Sequence, residues 1–281
     1  MLPLLILLTL TSAYAEDCSY NYEGIKLSKR SILTIKGLPT NLVINPNTRD
    51  IFFTLIDIDT LQDDDVQTEM DQYVLRDGKA IKIDNINGQA AAVDVEKNKV
   101  YIASDDGLTV LNKSDKANFV AFKDEDITQL FKPVNRDKLY AVIFPENSVY
   151  EIDIKEHEKT KIENVPCAFI LAVDDEENIF FECDSKYVKV LLKDFEEPIE
   201  FVGIPKNSAR AITVDDKNRV ILATNDGIYW LKSDSLIPKK LMNLDFIPSG
   251  IAFNEENLYL STSGVIYEFT RVIMGTRDIA A

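Results

Sequence analysis

The sequence has few of the residues and motifs on which many enzymes depend. Its one histidine, His157, lies in the charged segment Lys155–Lys159, where a solvent-exposed turn is expected rather than a Ser-His-Asp triad. It also contains no G-x-S-x-G, P-loop, G-x-G-x-x-G or H-E-x-x-H sequence. The sequence therefore gives no sign of these catalytic or nucleotide-binding sites, and we expect a protein that is not an enzyme.

Glycine and proline are also scarce, with ten of each among 281 residues. Turns must then rely on asparagine and aspartate, whose side chains hydrogen-bond nearby backbone and tolerate unusual dihedral angles. Helix-like periodicity is scarce as well, and a TIM barrel would need long helical stretches between its strands. These absences exclude that fold and favour an all-β chain.

Long apolar runs are missing beyond the N-terminal segment Met1–Ala15, and no other stretch approaches the roughly 20 residues of a membrane span. That segment ends Ala13-Tyr14-Ala15, a small-x-small cleavage pattern typical of a secretory signal peptide. We therefore expect residues 1–15 to be removed and residues 16–281 to form one secreted, extracellular domain.

Positive charge is in deficit, because 31 lysines and arginines face 47 aspartates and glutamates, for a net charge of −16. No basic stripe offsets this field, so nucleic acid and anionic membrane surfaces are not expected as partners. The acidity is interpreted first as a means of keeping a secreted protein soluble.

Cysteine is limited to Cys18, Cys167 and Cys183. In an oxidising compartment one pair is expected and one residue is left over. Cys167 and Cys183 flank a predicted hairpin in which Val173 faces Ile179. In that register the two cysteines are diagonal neighbours and do not lie directly opposite each other. We favour a disulfide between Cys167 and Cys183 with Cys18 free, while a bridge from Cys18 to either of them stays open.

A repeated frame of strand, polar turn and strand runs through the whole chain. Its clearest copy is Ser208–Gly227, in which an Asp-Asp-Lys-Asn turn separates two β-rich runs. The first residue after the turn recurs at Ile51, Val100, Leu139, Ile179, Val220 and Leu258, in steps of 49, 39, 40, 41 and 38 residues. Six units of about 40 residues predict a six-bladed β-propeller.

The last repeat runs out of sequence before a fourth strand. Ser31–Lys36, near the other end of the chain, alternates as a strand should. We therefore expect this N-terminal strand to complete the last blade and close the ring, which leaves no open sheet edge there.

Two segments are assigned to the periphery of this fold. The long first step indicates an insertion at Asp57–Glu69, which lacks the glycine and terminal glutamate of an EF-hand and is interpreted as a charged loop. The triplet Asn112-Lys113-Ser114 is a glycosylation sequon in a predicted exposed turn. Trp230, the one tryptophan, is assigned to the core.

The loops that lead into the six inner strands form the mouth of the central channel. Four residues before the last apolar residue of each predicted inner strand, the sequence has one cation, one aromatic, one amide, one aliphatic and two hydroxyl side chains. These ligand-binding candidates are Thr40, Gln89, Ile127, Phe169, Arg210 and Ser249. A one-residue slip of the register would replace them by Asn41, Ala90, Thr128, Ile170, Ala211 and Gly250.

The six repeats resemble the propellers of the senescence-marker-protein and gluconolactonase family, which hold one divalent cation at the mouth with carboxylates and asparagines. At the matching positions this chain has no carboxylate, so neither a metal nor lactonase activity is expected, and that hydrolase function is kept as the alternative. A fuller resemblance, to the ommochrome-binding proteins of insect haemolymph, covers the leader, the segment Cys18–Ile25 and the V-D-x-x-x-N repeats.

The second resemblance implies a secreted haemolymph carrier that binds an ommochrome, a tryptophan-derived phenoxazinone, and does not turn it over. For such a ligand Phe169 would stack and Arg210 would pair with an anionic group, while Gln89, Thr40 and Ser249 would hydrogen-bond ring substituents. Further candidates on neighbouring loops are Phe144, Asn225 and Tyr187. The alternative is a structural role, in which Arg210 hydrogen-bonds carbonyl groups at the channel mouth or pairs with Asp226, and Phe169 packs between blades.

Overall fold

The computed structural model describes residues 20–60, 68–84, 86–134, 136–184 and 186–272. Within these ranges the chain forms 25 β-strands in six sheets and no α-helix. A helix long and apolar enough to cross a membrane is not found in this part of the chain. The expected leader, Met1–Ala15, and Cys18 lie outside the described residues.

Each of the first three sheets has four antiparallel strands that follow one another along the chain. Blade one consists of β3 (Leu38–Asn45), β4 (Asp50–Ile56), β5 (Met70–Arg76) and β6 (Lys79–Lys82). Blade two consists of β7 (Gly88–Asp94), β8 (Lys99–Ser104), β9 (Gly107–Leu111) and β10 (Ala117–Ala121). Blade three consists of β11 (Ile127–Phe131), β12 (Leu139–Ile143), β13 (Ser148–Asp153) and β14 (Glu158–Lys161).

The remaining sheets repeat the pattern, with a change in the last one. Blade four consists of β15 (Ile170–Val173), β16 (Ile179–Cys183), β17 (Tyr187–Leu191) and β18 (Ile199–Glu200). Blade five consists of β19 (Ala209–Val214), β20 (Val220–Thr224), β21 (Gly227–Lys232) and β22 (Ser235–Asn243). Blade six takes β23 (Gly250–Asn254), β24 (Asn257–Thr262) and β25 (Val265–Arg271) from the C-terminal end, then β2 (Ile25–Thr34) and β1 (Tyr20–Tyr22) from the N-terminal end.

The six sheets form a closed β-propeller, as the repeat spacing predicts. Each inner strand, from β3 through β23, contacts the inner strands of the two neighbouring blades, and β23 contacts β3. The ring is closed by β2, which pairs antiparallel with β25 from Leu27 opposite Arg271 to Thr34 opposite Val265. The expected closing strand is therefore present, although it begins earlier than Ser31 and carries β1 on its outer edge.

The core of the molecule lies between the blades. There are six apolar clusters in the described residues, and each combines side chains from two adjacent blades. Between blades four and five, for example, Phe180 and Val190 pack with Leu222. Because both faces of each sheet are covered, middle strands such as β12 and β20 are buried along their whole length, and each fully buried large side chain contributes about 1.5–3 kcal/mol.

A disulfide joins Cys167 to Cys183 at one corner of blade four, with a Cα–Cα distance of 5.6 Å. The pairing of β15 with β16 places Val173 opposite Ile179, as the sequence predicts. This is the cysteine pairing favoured from the hairpin register. The two cysteines are separated by 16 positions in the sequence.

The peripheral segments can be placed in part. The connection between β4 and β5 corresponds to the expected insertion, and the N–H of Asp57 donates to the carbonyl of Glu69 at 3.1 Å, joining its ends. Residues 61–67 within it lie outside the described ranges. Asn112 is exposed in the turn after β9, but its side-chain oxygen accepts the N–H groups of Ser114 and Lys116. Its glycosylation stays a prediction.

Candidate functional site

The inner strands present two different ends to solvent. Their first residues gather at one face, called here the upper face, as shown by the hydrogen bond from Ser249, before β23, to the carbonyl of Pro39 in β3 at 2.6 Å. Their last residues gather at the opposite, lower face, where Asn45 of β3 donates to Asn98 beyond β7 at 2.8 Å. A central channel runs between the two faces.

At the lower face, blades four and five share one type of turn. In blade five the Oδ1 of Asp215 accepts the N–H groups of Lys217 and Arg219 at 3.0 and 2.9 Å, and in blade four Asp174 accepts that of Asn178 at 2.8 Å. Such turns tolerate left-handed backbone best at asparagine, and Asn218 has a φ of 58°. The aspartate that follows the valine is therefore explained by turn geometry, whereas the left-handed residue of the blade-four turn is Glu177, with a φ of 68°.

The upper ends of the inner strands are irregular. Register shifts of the β-bulge kind interrupt the start of β3 after Thr40, β7 after Gly88, β11 after Ile127 and β19 after Ala209. A bulge adds one unpaired residue and redirects the side chains that precede it. Positions at equal spacing in the sequence are therefore not equivalent around the mouth.

Three of the six predicted ring residues are engaged within blades one to three. Thr40 is half-buried, and its hydroxyl donates to the carbonyl of Thr54 at 3.4 Å. Gln89 is buried, and its amide nitrogen donates to Asp126. Ile127 is fully buried in the cluster between blades two and three.

The other three lie on blades four to six. Phe169 is 46% exposed, and Arg210 is exposed with its Nε donating to Asn225 Oδ1 at 2.6 Å. Ser249 is half-buried and bonded to Pro39. None of the six ring residues lines the axial cavity, so their ligand-binding role stays a prediction for the upper surface.

The further candidates are also on the surface. Phe144 is 53% exposed, Asn225 is exposed and holds Arg210, and Tyr187 lies beneath the ammonium of Lys206 at 4.8 Å from the ring centroid. Trp230, assigned to the core, is half-buried at the edge of the cluster between blades five and six.

A cavity of about 270 Å³ occupies the axial channel. Its walls are the inner strands of all six blades, and they are predominantly aliphatic, as with Ala90, Ile170, Ala211 and Ile251. At the lower face the cavity is bordered by turn residues that include Asp216 and Glu255. The volume is near the lower end of the range for small-molecule sites, about 300–1,000 Å³.

Two side-chain amides stand at the upper end of this cavity, on Asn41 and Gln129. Asn41 Nδ2 donates to the carbonyl of Gln89 at 2.6 Å, and Gln129 Nε2 donates to Asn41 Oδ1 at 3.3 Å. Asn41 has a φ of 49°, within the bulge of β3. Equal spacing of the inner strands did not predict Gln129, and it predicted Asn41 only in the register shifted by one residue. The reason is that bulges cannot be recognised from the spacing.

The donors at this end do not fit the divalent cation that the gluconolactonase resemblance implies. Hard cations prefer several oxygen ligands, some of them charged, whereas Asn41 and Gln129 offer neutral amides and the neighbouring Asp126 is bonded by Gln89. Among the described residues, the only cluster of three potential metal ligands of the His, Cys, Asp or Glu type is Cys167, Cys183 and Asp184. Both of those cysteines belong to the disulfide.

The comparisons with known proteins agree with this architecture. No family model matches the chain, and no curated protein matches it. A gluconolactonase from Xanthomonas campestris is similar in structure, with a TM-score of 0.68 at 12% identity over 90% of this chain and 91% of that one.

Two further solved structures share the fold. The luciferin-regenerating enzyme has a TM-score of 0.61 at 12% identity, over 89% of this chain and 98% of that one. Virginiamycin B lyase from Staphylococcus aureus has a TM-score of 0.62 at 12% identity, over 88% of this chain and 100% of that one. At 12% identity these likenesses show that the chain shares the β-propeller fold of these proteins.

The expectation that the chain is not an enzyme is corrected by these neighbours, because the proteins that share its fold over most of its length are named as a gluconolactonase, a lyase and a luciferin-regenerating enzyme. The absence of contiguous catalytic motifs does not exclude a catalytic site in this fold. A propeller collects its functional side chains around the axis from separate blades, so a site in this fold leaves no continuous signature in the sequence.

Proposed function

We propose that this propeller binds a small, flat and largely apolar organic molecule in its axial cavity. The observation that carries the proposal is the cavity itself, about 270 Å³ in volume and walled by aliphatic side chains of all six blades. Ligand sites are typically apolar pockets with a few polar groups that fix orientation. Asn41 and Gln129 supply those polar groups at one end.

The amide pair favours a ligand with polar ring substituents. Asn41 Nδ2 and Oδ1 are each committed to one hydrogen bond, to Gln89 and Gln129, which fixes the orientation of the pair. An amide offers two donors and a carbonyl with two lone pairs, so further hydrogen-bonding capacity faces the cavity. A planar aromatic with carbonyl or amino groups on its edge suits this arrangement.

The sequence resemblance suggests an ommochrome as that ligand. The flat phenoxazinone ring would lie between the aliphatic walls, and its polar substituents would face the amides or the lower mouth near Asp216 and Glu255. We further propose that the protein acts outside the cell, which the disulfide of blade four supports because such bridges persist in oxidising compartments. N-terminal sequencing of the protein from its source should then begin at Glu16.

The binding proposal can be tested by titrating the protein with an ommochrome and following the visible absorbance of the pigment. Ala211→Leu, which places three more carbon atoms in the cavity, should abolish measurable binding. Ala117→Leu, on the outermost strand of blade two, is the matched control and should bind normally. Gln129→Ala should weaken binding by about 0.5–1.5 kcal/mol, the net worth of one hydrogen bond. Unchanged affinity in Ala211→Leu would remove the cavity as the site.

A second candidate function, hydrolysis of a lactone, is favoured by the fold shared with a gluconolactonase over 90% of the chain. The structural neighbours support this candidate better than a pigment carrier, although the amides of the mouth do not supply a cation site. The test is turnover of glucono-δ-lactone by the purified protein, with and without added calcium or zinc. Turnover that Ala211→Leu abolishes would support the hydrolase, and no turnover in either condition would discard it.

A further inference from the structure

The upper face between blades four and five gathers three groups that the axial cavity does not use. Phe169 precedes β15, and its N–H donates to the carbonyl of Glu182 in β16 at 2.8 Å. Arg210 lies near the start of β19, in the next blade, and its charge acts on the Glu182 carboxyl. Phe169 is thus joined through its backbone to Glu182, and Arg210 lies within electrostatic range of the Glu182 carboxyl group.

Glu182 is an unusual member of this group because it is buried without a full set of partners. Its exposed fraction is 7%, and its Oε1 has no hydrogen-bond partner among the described residues. Its side chain shares the face of β16 that carries Phe180, which packs toward blade five. Buried carboxyl groups without partners are costly when ionised, so this position disfavours the charged form.

The surroundings of Glu182 have opposing effects on the pKa of its carboxyl group. Burial is the largest effect and raises the pKa of its carboxyl group. The backbone N–H of Lys186 and the charge of Arg210 lower that pKa, while Asp184 raises it. Asp226, on the blade-five turn beside Asn225, is held by Lys240 at 2.7 Å. The balance of these effects raises the pKa of the Glu182 carboxyl group above its ordinary value.

Arg210 and Phe169 are available to a ligand. The Nε of Arg210 is bonded to Asn225, and no ion pair ties its terminal nitrogens to any described residue. Phe169 is 46% exposed and Phe144 is 53% exposed. The loop that carries Phe144 is joined to the chain before Phe169 by the N–H of Ala168, which donates to the carbonyl of Asn147 at 2.9 Å.

We propose that Arg210, Phe169 and the buried Glu182 form a second binding site, separate from the axial cavity, for a small aromatic anion, and that Glu182 makes its affinity depend on pH. The guanidinium fork pairs with a carboxylate or sulfonate, and the exposed phenylalanine packs against the ring. When Glu182 is neutral, the charge of Arg210 is available to the ligand. When Glu182 ionises, its charge opposes the anion.

The experiment is calorimetric titration with 2-naphthalenesulfonate, a probe that stays ionised over the whole pH range used. At mildly acidic pH, Arg210→Gln should bind roughly 10- to 100-fold more weakly than the unmodified protein, which is the loss of one charge-assisted hydrogen bond or more. Arg210→Lys keeps the positive charge but lacks the forked guanidinium, and its affinity should lie between those of Arg210→Gln and the unmodified protein. Arg30→Gln, on the outer rim of blade six, is the matched control and should bind normally.

The role of Glu182 is tested by the pH profile. Between about pH 8 and about pH 5, which lies above the ordinary glutamate pKa of about 4.3, affinity of the unmodified protein should rise as the pH falls. Over the whole pH range, Glu182→Gln should bind the probe with the affinity that the unmodified protein shows at about pH 5, so its affinity should depend less on pH. A profile in Glu182→Gln equal to that of the unmodified protein, or normal binding by Arg210→Gln, would overturn the proposal.

The axial cavity provides the remaining control. Ala211→Leu fills that cavity and should leave binding of 2-naphthalenesulfonate unchanged. If Ala211→Leu abolishes binding instead, the probe occupies the axial channel and the second site is refuted, while the proposed function is retained. The two proposals therefore fail independently.

Discussion

The lower and upper ends of the same inner strands are built in different ways. At the lower end, blades four and five end in the same aspartate turn, in which Asp174 and Asp215 accept backbone N–H groups. At the upper end, four of the six inner strands are interrupted by bulges, and each blade presents different side chains. The repeated end maintains the fold, and the varied end is where binding groups are placed.

The difference also appears in how charges are used. At the lower end Arg219 bridges Asp215 at 2.7 Å and Glu23 at 2.6 Å, which ties blade five to the N-terminal segment. At the upper end Arg210 has one amide partner, and Glu182 Oε1 has no hydrogen-bond partner in the part of the chain that the structure describes. The ion pairs of Arg219 stabilise the ring, whereas the exposed guanidinium of Arg210 remains available for a ligand.

The largest effect on stability is expected from Asp215→Ala at the lower end. The side chain of Asp215 is 1% exposed and is bound by Arg219, so its removal leaves a partly buried cation and two N–H groups without their acceptor. Loss of one partner of a buried pair costs about 3–5 kcal/mol. Urea denaturation should show this loss. Asp216→Ala, an exposed neighbour, is the control, and equal losses in both variants would contradict the account of the turn.

The second effect concerns the cross-link at the upper end. Replacing both Cys167 and Cys183 by serine should lower the free energy of unfolding by about 3 kcal/mol, from the loop entropy of a bridge with a sequence separation of 16. Thermal denaturation of the double variant is the measurement. The double variant should melt at the same temperature as the unmodified protein whose disulfide has been reduced. A lower melting temperature in the double variant would show that packing of the sulfur atoms also contributes to stability.

The third effect has the opposite sign. Burial raises the pKa of Glu182 above its unfolded value, so the folded state holds that proton more tightly and stability falls as pH rises from the unfolded pKa through the folded one. Glu182→Gln should therefore stabilise the protein by about 1–3 kcal/mol near neutral pH. The gain should vanish below the ordinary glutamate pKa. Denaturation at several pH values measures it, and a pH-independent gain would show that ionisation is not the cause.

The smallest effect tests whether the lower turns are interchangeable. Arg49 has a φ of 64° immediately before β4, at the turn position where blade two has Asn98 immediately before β8. Asparagine tolerates the left-handed region better than other side chains, so Arg49→Asn should stabilise blade one by up to about 1 kcal/mol. The ion pair that is lost, with Glu255 at 3.9 Å, is exposed and contributes little. A clear loss of stability would show that the turns differ in ways the repeat hides.

Much of the fold was predictable because it depends on local patterns. The spacing of the turns indicated six blades, and the alternation in Ser31–Lys36 indicated the closing strand. The hairpin register that pairs Val173 with Ile179 indicated the disulfide between Cys167 and Cys183. Each of these rests on strand periodicity and on turn residues, which the sequence states directly.

The candidate site was less predictable. Equal spacing selected Thr40, Gln89 and Ile127, but bulges redirected the strand starts and brought Asn41 and Gln129 to the cavity instead. A bulge is a feature of how one strand pairs with its neighbour, so the spacing of residues within a single strand does not show where it falls. The expectation of a non-enzyme failed for a related reason, since side chains that meet at an axis are far apart in sequence.

The amino-acid sequence alone determined the repeat of strand, turn and strand and the number of blades, because these follow from periods of two and of about 40 residues. Only the tertiary structure decided which side chains face the channel and that the carboxyl group of Glu182 is buried. Those outcomes depend on the packing of one blade against the next, where a shift of one residue exchanges a buried side chain for an exposed one.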